Sequence, residues 1–254
     1  MRRAFPWFGL LLLTISFVRL VRLPGPIHPT PVPVVRGERP LVVVLDPGHG
    51  GADSGAMCGT IMEKDLTLDV ALRAELLLRL KGYTTVLTRD SDRYVSLAER
   101  AAMGNHADDS LFVSIHFNDG QRGAASGVET YYAGQSAGPA GFFSWLSSWQ
   151  RSASTPLTAK SESLARFIQA ALVERTRALD RGIKSEQFYV IANVRHPAAL
   201  VEGGFITNKS DVTKLTTTEY RQQIAMAISD GVHRHWEAAR RDEPTLTLAA
   251  ARPE

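Results

Sequence analysis

Between Leu41 and Trp236 the apolar positions fall into short unbroken runs that alternate with longer stretches spaced at helical intervals. Leu41-Val42-Val43-Val44-Leu45 is a continuous aliphatic run closed by Asp46-Pro47-Gly48, the pattern of a strand buried on both faces as in parallel sheets. Glu63 to Lys81 places Leu66, Val70, Leu77 and Leu80 on roughly one face and stops at Gly82, which predicts a helix. Tyr83 to Thr88 reads as a strand, Ser96 to Asn105 as a helix, Leu111 to Ile115 as another buried strand, and Val128 to Tyr132 as an alternating one. Ser161 to Leu179 is amphipathic. Phe188 to Ile191 and Ala198 to Val201 read as short strands, and Glu219 to Trp236 as a closing helix with Ile224, Ile228, Val232 and Trp236 in register. This rhythm predicts a single α/β domain with a mixed, mostly parallel central sheet flanked by helices.

The ends of the chain break the pattern. Arg2 and Arg3, an apolar stretch from Ala4 to Val18, then Arg19 and Arg22 form an export segment over residues 1–23. A cleaved signal is the first expectation and an uncleaved membrane anchor the alternative, because no Ala-x-Ala-like site follows. Residues 24–40 contain six prolines, the composition of a stiff linker. The main folded domain is expected at 41–236, and 237–254 reads as a frayed tail. The only membrane link expected is therefore the N-terminal segment, and the location is the periplasm or cell envelope.

Composition narrows the chemistry. The 254 residues are 44% hydrophobic and 22% charged, which excludes disorder, collagen and coiled coil. The net charge of +3 is matched by the four arginines of the first 22 residues, so a nucleic-acid partner is not implied. One cysteine, Cys58, permits neither an internal disulfide nor a cysteine-based zinc site. Any zinc here must be held by histidine and carboxylate.

In such sheets functional groups gather at the carboxyl ends of strands. The first strand ends in Asp46-Pro47-Gly48-His49-Gly50-Gly51, the third in Ser114-Ile115-His116-Phe117-Asn118, and a late one in Val201-Glu202-Gly203-Gly204-Phe205, while Glu63 opens the helix after the first strand. Two histidines and one carboxylate from separate elements suit a catalytic zinc site with one open position, so His49, Glu63 and His116 are the candidate ligands of one zinc ion. Zinc so held lowers the pKa of bound water to about 7, and a carboxylate outside the ligand set then moves the proton; Glu202 is the candidate. Asp46 and Asn118 are placed to orient the histidines or, for Asn118, to face substrate. Arg89 and Arg195 are assigned to substrate carboxylates on charge complementarity alone. Each residue taken singly has a plainer reading as a cap or surface group. The glycine-rich turn lacks the lysine of a P-loop, and no H-E-x-x-H helix is present.

At these residues the sequence resembles the zinc-dependent N-acetylmuramoyl-L-alanine amidases over about Leu41 to Trp236. The Asp46–Gly51 turn with Asp53 and Gly55, Glu63 at a helix start, Ser114-Ile115-His116 with Asn118, and Glu202 with Phe205 and Asn208 carry the resemblance. Thr88-Arg89, Arg100 with Asn105, and Arg181 to Lys184 agree as well. The resemblance implies a zinc hydrolase that cuts the amide between the lactyl group of N-acetylmuramic acid and L-alanine, with peptidoglycan as its partner. The metal chemistry alone also suits another envelope amidohydrolase or peptidase, and a catalytically silent peptidoglycan-binding domain is the alternative of a different class. One departure is Ala133 to Lys160, an insertion without Asp or Glu that cannot supply the blocking carboxylate seen in cell-separation members. Its Phe142, Trp145, Leu146 and Trp149 repeat at helical spacing; packing on the domain is the plain reading, and docking of a regulatory partner the sharper one.

Overall fold

The computed structural model describes residues 41–120, 123–134 and 155–242. Six strands form the central sheet: β1 (Val42–Pro47), β4 (Thr84–Leu87), β5 (Ser110–Asn118), β6 (Val128–Tyr132), β7 (Asp180–Ser185) and β8 (Ala198–Phe205). Their spatial order is β4-β1-β5-β8-β6-β7, and every neighbouring pair is parallel except β6 with β8. The mixed, mostly parallel sheet expected from the sequence is what the chain forms. A small hairpin, β2 (Met57–Cys58) and β3 (Ile61–Met62), precedes the first helix.

Helix α1 (Glu63–Leu80), α3 (Pro156–Thr176) and α6 (Thr218–Asp242) cover one face of the sheet, and α2 (Leu97–Gly104) and α4 (Tyr189–Ala192) the other. The core follows from this sandwich. Leu45, Val113, Ile115 and Val201 point to the first face with Val70, Ile168 and Ile228, while Val44, Phe112 and Leu200 point to the second with Ala101 and Ile191. Side chains of one strand alternate between two buried faces, which is why β1 and β5 read as unbroken apolar runs. Ser96 caps α2 in a reciprocal box with Glu99, and Thr155 caps α3 ahead of Pro156.

Four expectations need correction. Phe188–Ile191 is not a strand; Phe188 caps the short helix α4. Four apolar residues carry no usable period, so strand and helix were indistinguishable there. The strand of that region is Asp180–Ser185, missed because an edge strand with one exposed face is charged. A helix α5 (Lys209–Leu215), capped by Asn208 Oδ1, was also missed. The closing helix runs on to Asp242, so the first residues assigned to a frayed tail are helical. The export segment, the linker and the apolar stripe of the 133–160 insertion lie outside the described residues. Among those described, no helix is long and apolar enough to cross a membrane.

Candidate active site

The carboxyl ends of β1, β5 and β8 lie side by side, in register through Asp46↔Ser114 and His116↔Glu202. This adjacency brings together residues that are distant in sequence. His49 follows β1 in the left-handed region at φ 61°, and Glu63 is the first residue of α1, where a helix N-terminus favours a carboxylate. Ligand atoms of His49, Glu63 and His116 all lie within 4.8 Å of one another. His49 Nε2 stands 3.1 Å from Glu63 Oε2, and His116 Nδ1 stands 2.9 Å from Glu63 Oε1. The two imidazoles meet edge to face, with centroids 4.9 Å apart.

Glu63 is buried, and the backbone N–H groups of Ala56 and Phe117 donate to its two oxygens. Burial alone would raise its pKa, but hydrogen bonds from His116 and His49 outweigh it and hold the carboxyl well below the usual range. Burial likewise opposes protonation of His49, and Glu63 and Asp53 reverse that balance, raising its pKa. Asp53 Oδ2 lies 2.9 Å from His49 Nδ1. A carboxylate on Nδ1 keeps the proton there and leaves Nε2 for a metal. Two imidazoles and a carboxylate converging on one point, with His49 oriented by Asp53 and Glu63 by two backbone N–H groups, fit a zinc or similar divalent ion.

The turn that presents His49 is clamped from below by two buried arginines. Arg89 donates from Nε to the Pro47 carbonyl and from Nη2 to the carbonyls of Gly48 and Lys64. Arg100 donates to the Pro47 and His49 carbonyls and pairs with Asp46 at 2.7 Å. Asp46 also accepts from Thr88 and Ser114. Beyond Pro47 the turn has left the sheet, so its inward carbonyls need side-chain donors, and the two guanidiniums supply them.

Arg89 is fully buried and cannot meet a substrate carboxylate. Asp46 touches neither histidine; the partner of His49 is Asp53, and Asp46 anchors Arg100 instead. Asn118 donates to Glu129 and is not among the described residues lining the cleft. Arg195 is exposed, its backbone bound to Asn105, and is not among the described residues of the cleft.

Glu202 lines a cleft of 390 Å³ shared with His49 and His116. Its Oε2 is shielded from solvent and has no hydrogen-bond partner among the described residues. Burial, with the Glu63 and Glu129 carboxylates nearby, raises its pKa well above the ordinary range, against the pull of Lys184. After Glu202 the strand bulges: Asn118 pairs with Phe205, and Gly204 takes φ 146°, open to glycine. Sequence reasoning missed Glu129. It is buried on β6 opposite Glu202 and accepts from Arg181, Lys184, Asn118 and Tyr131. Its one signal was a carboxylate inside the strand pattern Val128-Glu129-Thr130-Tyr131-Tyr132.

The arrangement can hold a divalent metal beside a carboxylate suited to proton transfer, the requirements of amide hydrolysis. Residues 43–234 match the family described as N-acetylmuramoyl-L-alanine amidase, and the chain belongs to that family. It is 36% identical over 211 residues to the Bacillus subtilis protein YqiI, covering 82% of this chain and 92% of that one. It is 38% identical over 189 residues to N-acetylmuramoyl-L-alanine amidase LytC of Bacillus subtilis, covering 74% of this chain but 34% of LytC. Among solved structures, an N-acetylmuramoyl-L-alanine amidase from Clostridium difficile 630 aligns with a TM-score of 0.68 at 32% identity, over 79% of this chain and 99% of that one. The family resemblance read from the sequence is borne out.

Proposed function

We propose that the chain is a zinc hydrolase of the cell envelope that cuts the amide between the lactyl group of N-acetylmuramic acid and L-alanine in peptidoglycan. His49, Glu63 and His116 hold the metal, and Glu202 moves the proton. The observation that carries this reading is the convergence of three metal-donor side chains and an unpartnered, buried carboxylate oxygen on one cleft. Zinc held by these three residues would polarise the scissile carbonyl and supply a water nucleophile near neutral pH. Glu202 accepts the proton of the attacking water and returns it to the departing alanine nitrogen, a role suited to a buried carboxylate whose pKa burial raises above the ordinary range. Asp53 keeps His49 in the ligating tautomer. Relatives named as cell wall amidases support an extracytoplasmic site of action.

The test is digestion of purified sacculi by zinc-loaded wild type and by Glu202→Gln. New N-terminal L-alanine and intact glycan from wild type alone are expected. New ends inside the peptide would identify a peptidase, and no product from wild type would identify a binding domain.

A further inference from the structure

The wall of the cleft facing the metal donors is aromatic and open. Tyr94 and Leu97, at the entry to α2, and Phe188 and Tyr189, at the start of α4, line the same cavity as His49, His116 and Glu202. They keep 62%, 54%, 42% and 48% of their surface exposed. Grouped large apolar side chains are seldom left open without a ligand. These are also fixed in place. The Gly51 turn packs against the backbone of Tyr94, where a Cβ at 51 would stand 2.6 Å from the Tyr94 nitrogen. Phe188 meets Tyr131 edge to face, with centroids 5.1 Å apart.

Charge decides what such a wall accepts. Among the described lining residues the acids are Asp46, Asp53 and Glu202, and the one cation, Arg100, is committed to Asp46 and to backbone carbonyls. A stem peptide carries free carboxylates and calls for arginine or lysine. Outside the lining, Arg181 and Lys184 sit on β7 and hold Glu129, and Arg93, next to Tyr94, donates to the Thr88 carbonyl. A neutral sugar ring, with apolar C–H faces and hydroxyls at its edge, suits flat aromatic faces and the tyrosine hydroxyls.

We propose that Tyr94, Phe188 and Tyr189 form the subsite for the glycan side of the substrate, stacking the sugar that carries the lactyl group so that its amide meets His49, His116 and Glu202. This rests on the amidase reading above. It makes the glycan, more than the peptide, the determinant of substrate affinity.

The zinc-loaded protein is titrated by NMR and calorimetry with the neutral tetrasaccharide of N-acetylglucosamine, which has no scissile amide, and with a free stem peptide. Wild type is expected to bind the tetrasaccharide at millimolar concentration, with Tyr94→Ser and Tyr189→Ser each weakening it about fivefold. Leu76→Ala, on the exposed side of α1, leaves binding unchanged. On sacculi the tyrosine variants raise KM and leave kcat near wild type. The subsite is overturned if wild type fails to bind the tetrasaccharide, if the tyrosine variants bind it like wild type, or if they weaken the stem peptide instead. Sugar binding as expected with no hydrolysis by wild type would retain the subsite and defeat the amidase reading.

Discussion

Gly48 lies against the imidazole of His116 so closely that a Cβ on residue 48 would stand 2.3 Å from the ring's Cε1. The β1 turn and the β5 histidine thus share one space, and the absent side chain sets where the ring can sit. Gly48→Ala is expected to push His116 off the donor cluster while the buried core stays intact. Zinc affinity, measured by competition with a chelator, should fall about tenfold to a hundredfold, with little change in the far-UV spectrum of the metal-free protein. Wild-type affinity in this variant would refute the contact.

Asp46 and Arg100 form a buried ion pair, and each is satisfied on all sides. Breaking such a pair leaves an uncompensated buried charge and costs about 3 to 5 kcal/mol. Asp46→Ala should therefore unfold at markedly lower urea concentration. Asp46→Asn, which keeps an acceptor for Thr88 or Arg100, should lose less; equal losses would show that charge is not the issue.

Arg89 separates a structural role from a substrate role. Its guanidinium serves carbonyls of Pro47, Gly48, Lys64 and Ser91, which a lysine cannot all reach. Arg89→Lys is expected to lower stability by about 2 kcal/mol, since unsatisfied buried acceptors cost roughly 1 to 3 kcal/mol each. KM for sacculi should stay near wild type at temperatures where the variant is folded. A raised KM with unchanged melting would restore the substrate assignment.

His235 gives the fold an acid-sensitive point. It is buried beside Ser163 and Phe167, and burial, with Lys160 nearby, pulls its pKa down to about 4. In the unfolded chain it titrates near 6.5, so between these values the unfolded state binds the extra proton. Stability tied to this residue is whole above that range and is lost as pH falls, by about 2 kcal/mol at pH 5. Metal-free wild type and His235→Leu should therefore converge in urea stability, or cross, on going from pH 7.5 to pH 5. A constant gap would rule the mechanism out.

Legibility followed burial. The strands β1 and β5 were readable because parallel strands buried on both faces are apolar throughout, and His49, Glu63, His116 and Glu202 were readable because strand ends and a helix start punctuate those runs. What the sequence hid was direction. Arg89 and Asp46 carry the same charges whether they face a cleft or an interior, and only the path of the turn carbonyls shows that they face inward. Asp53, four residues from His49, was visible as part of the turn motif but not as its partner. Glu129 was obscured because its place opposite Glu202 depends on β6 running against β8, which no local pattern encodes, and β7 because an edge strand with an exposed face is charged.

His49 is one of two non-glycine residues in the left-handed region among those described. That conformation costs a side-chain-bearing residue about 1 to 2 kcal/mol relative to glycine. The position therefore sets function against economy of backbone: His49→Gly should melt higher than His49→Ala in the absence of metal. Backbone physics alone favours glycine at 49, so it is the ring's bonds to Asp53 and Glu63, and not the turn, that keep a side chain at this position.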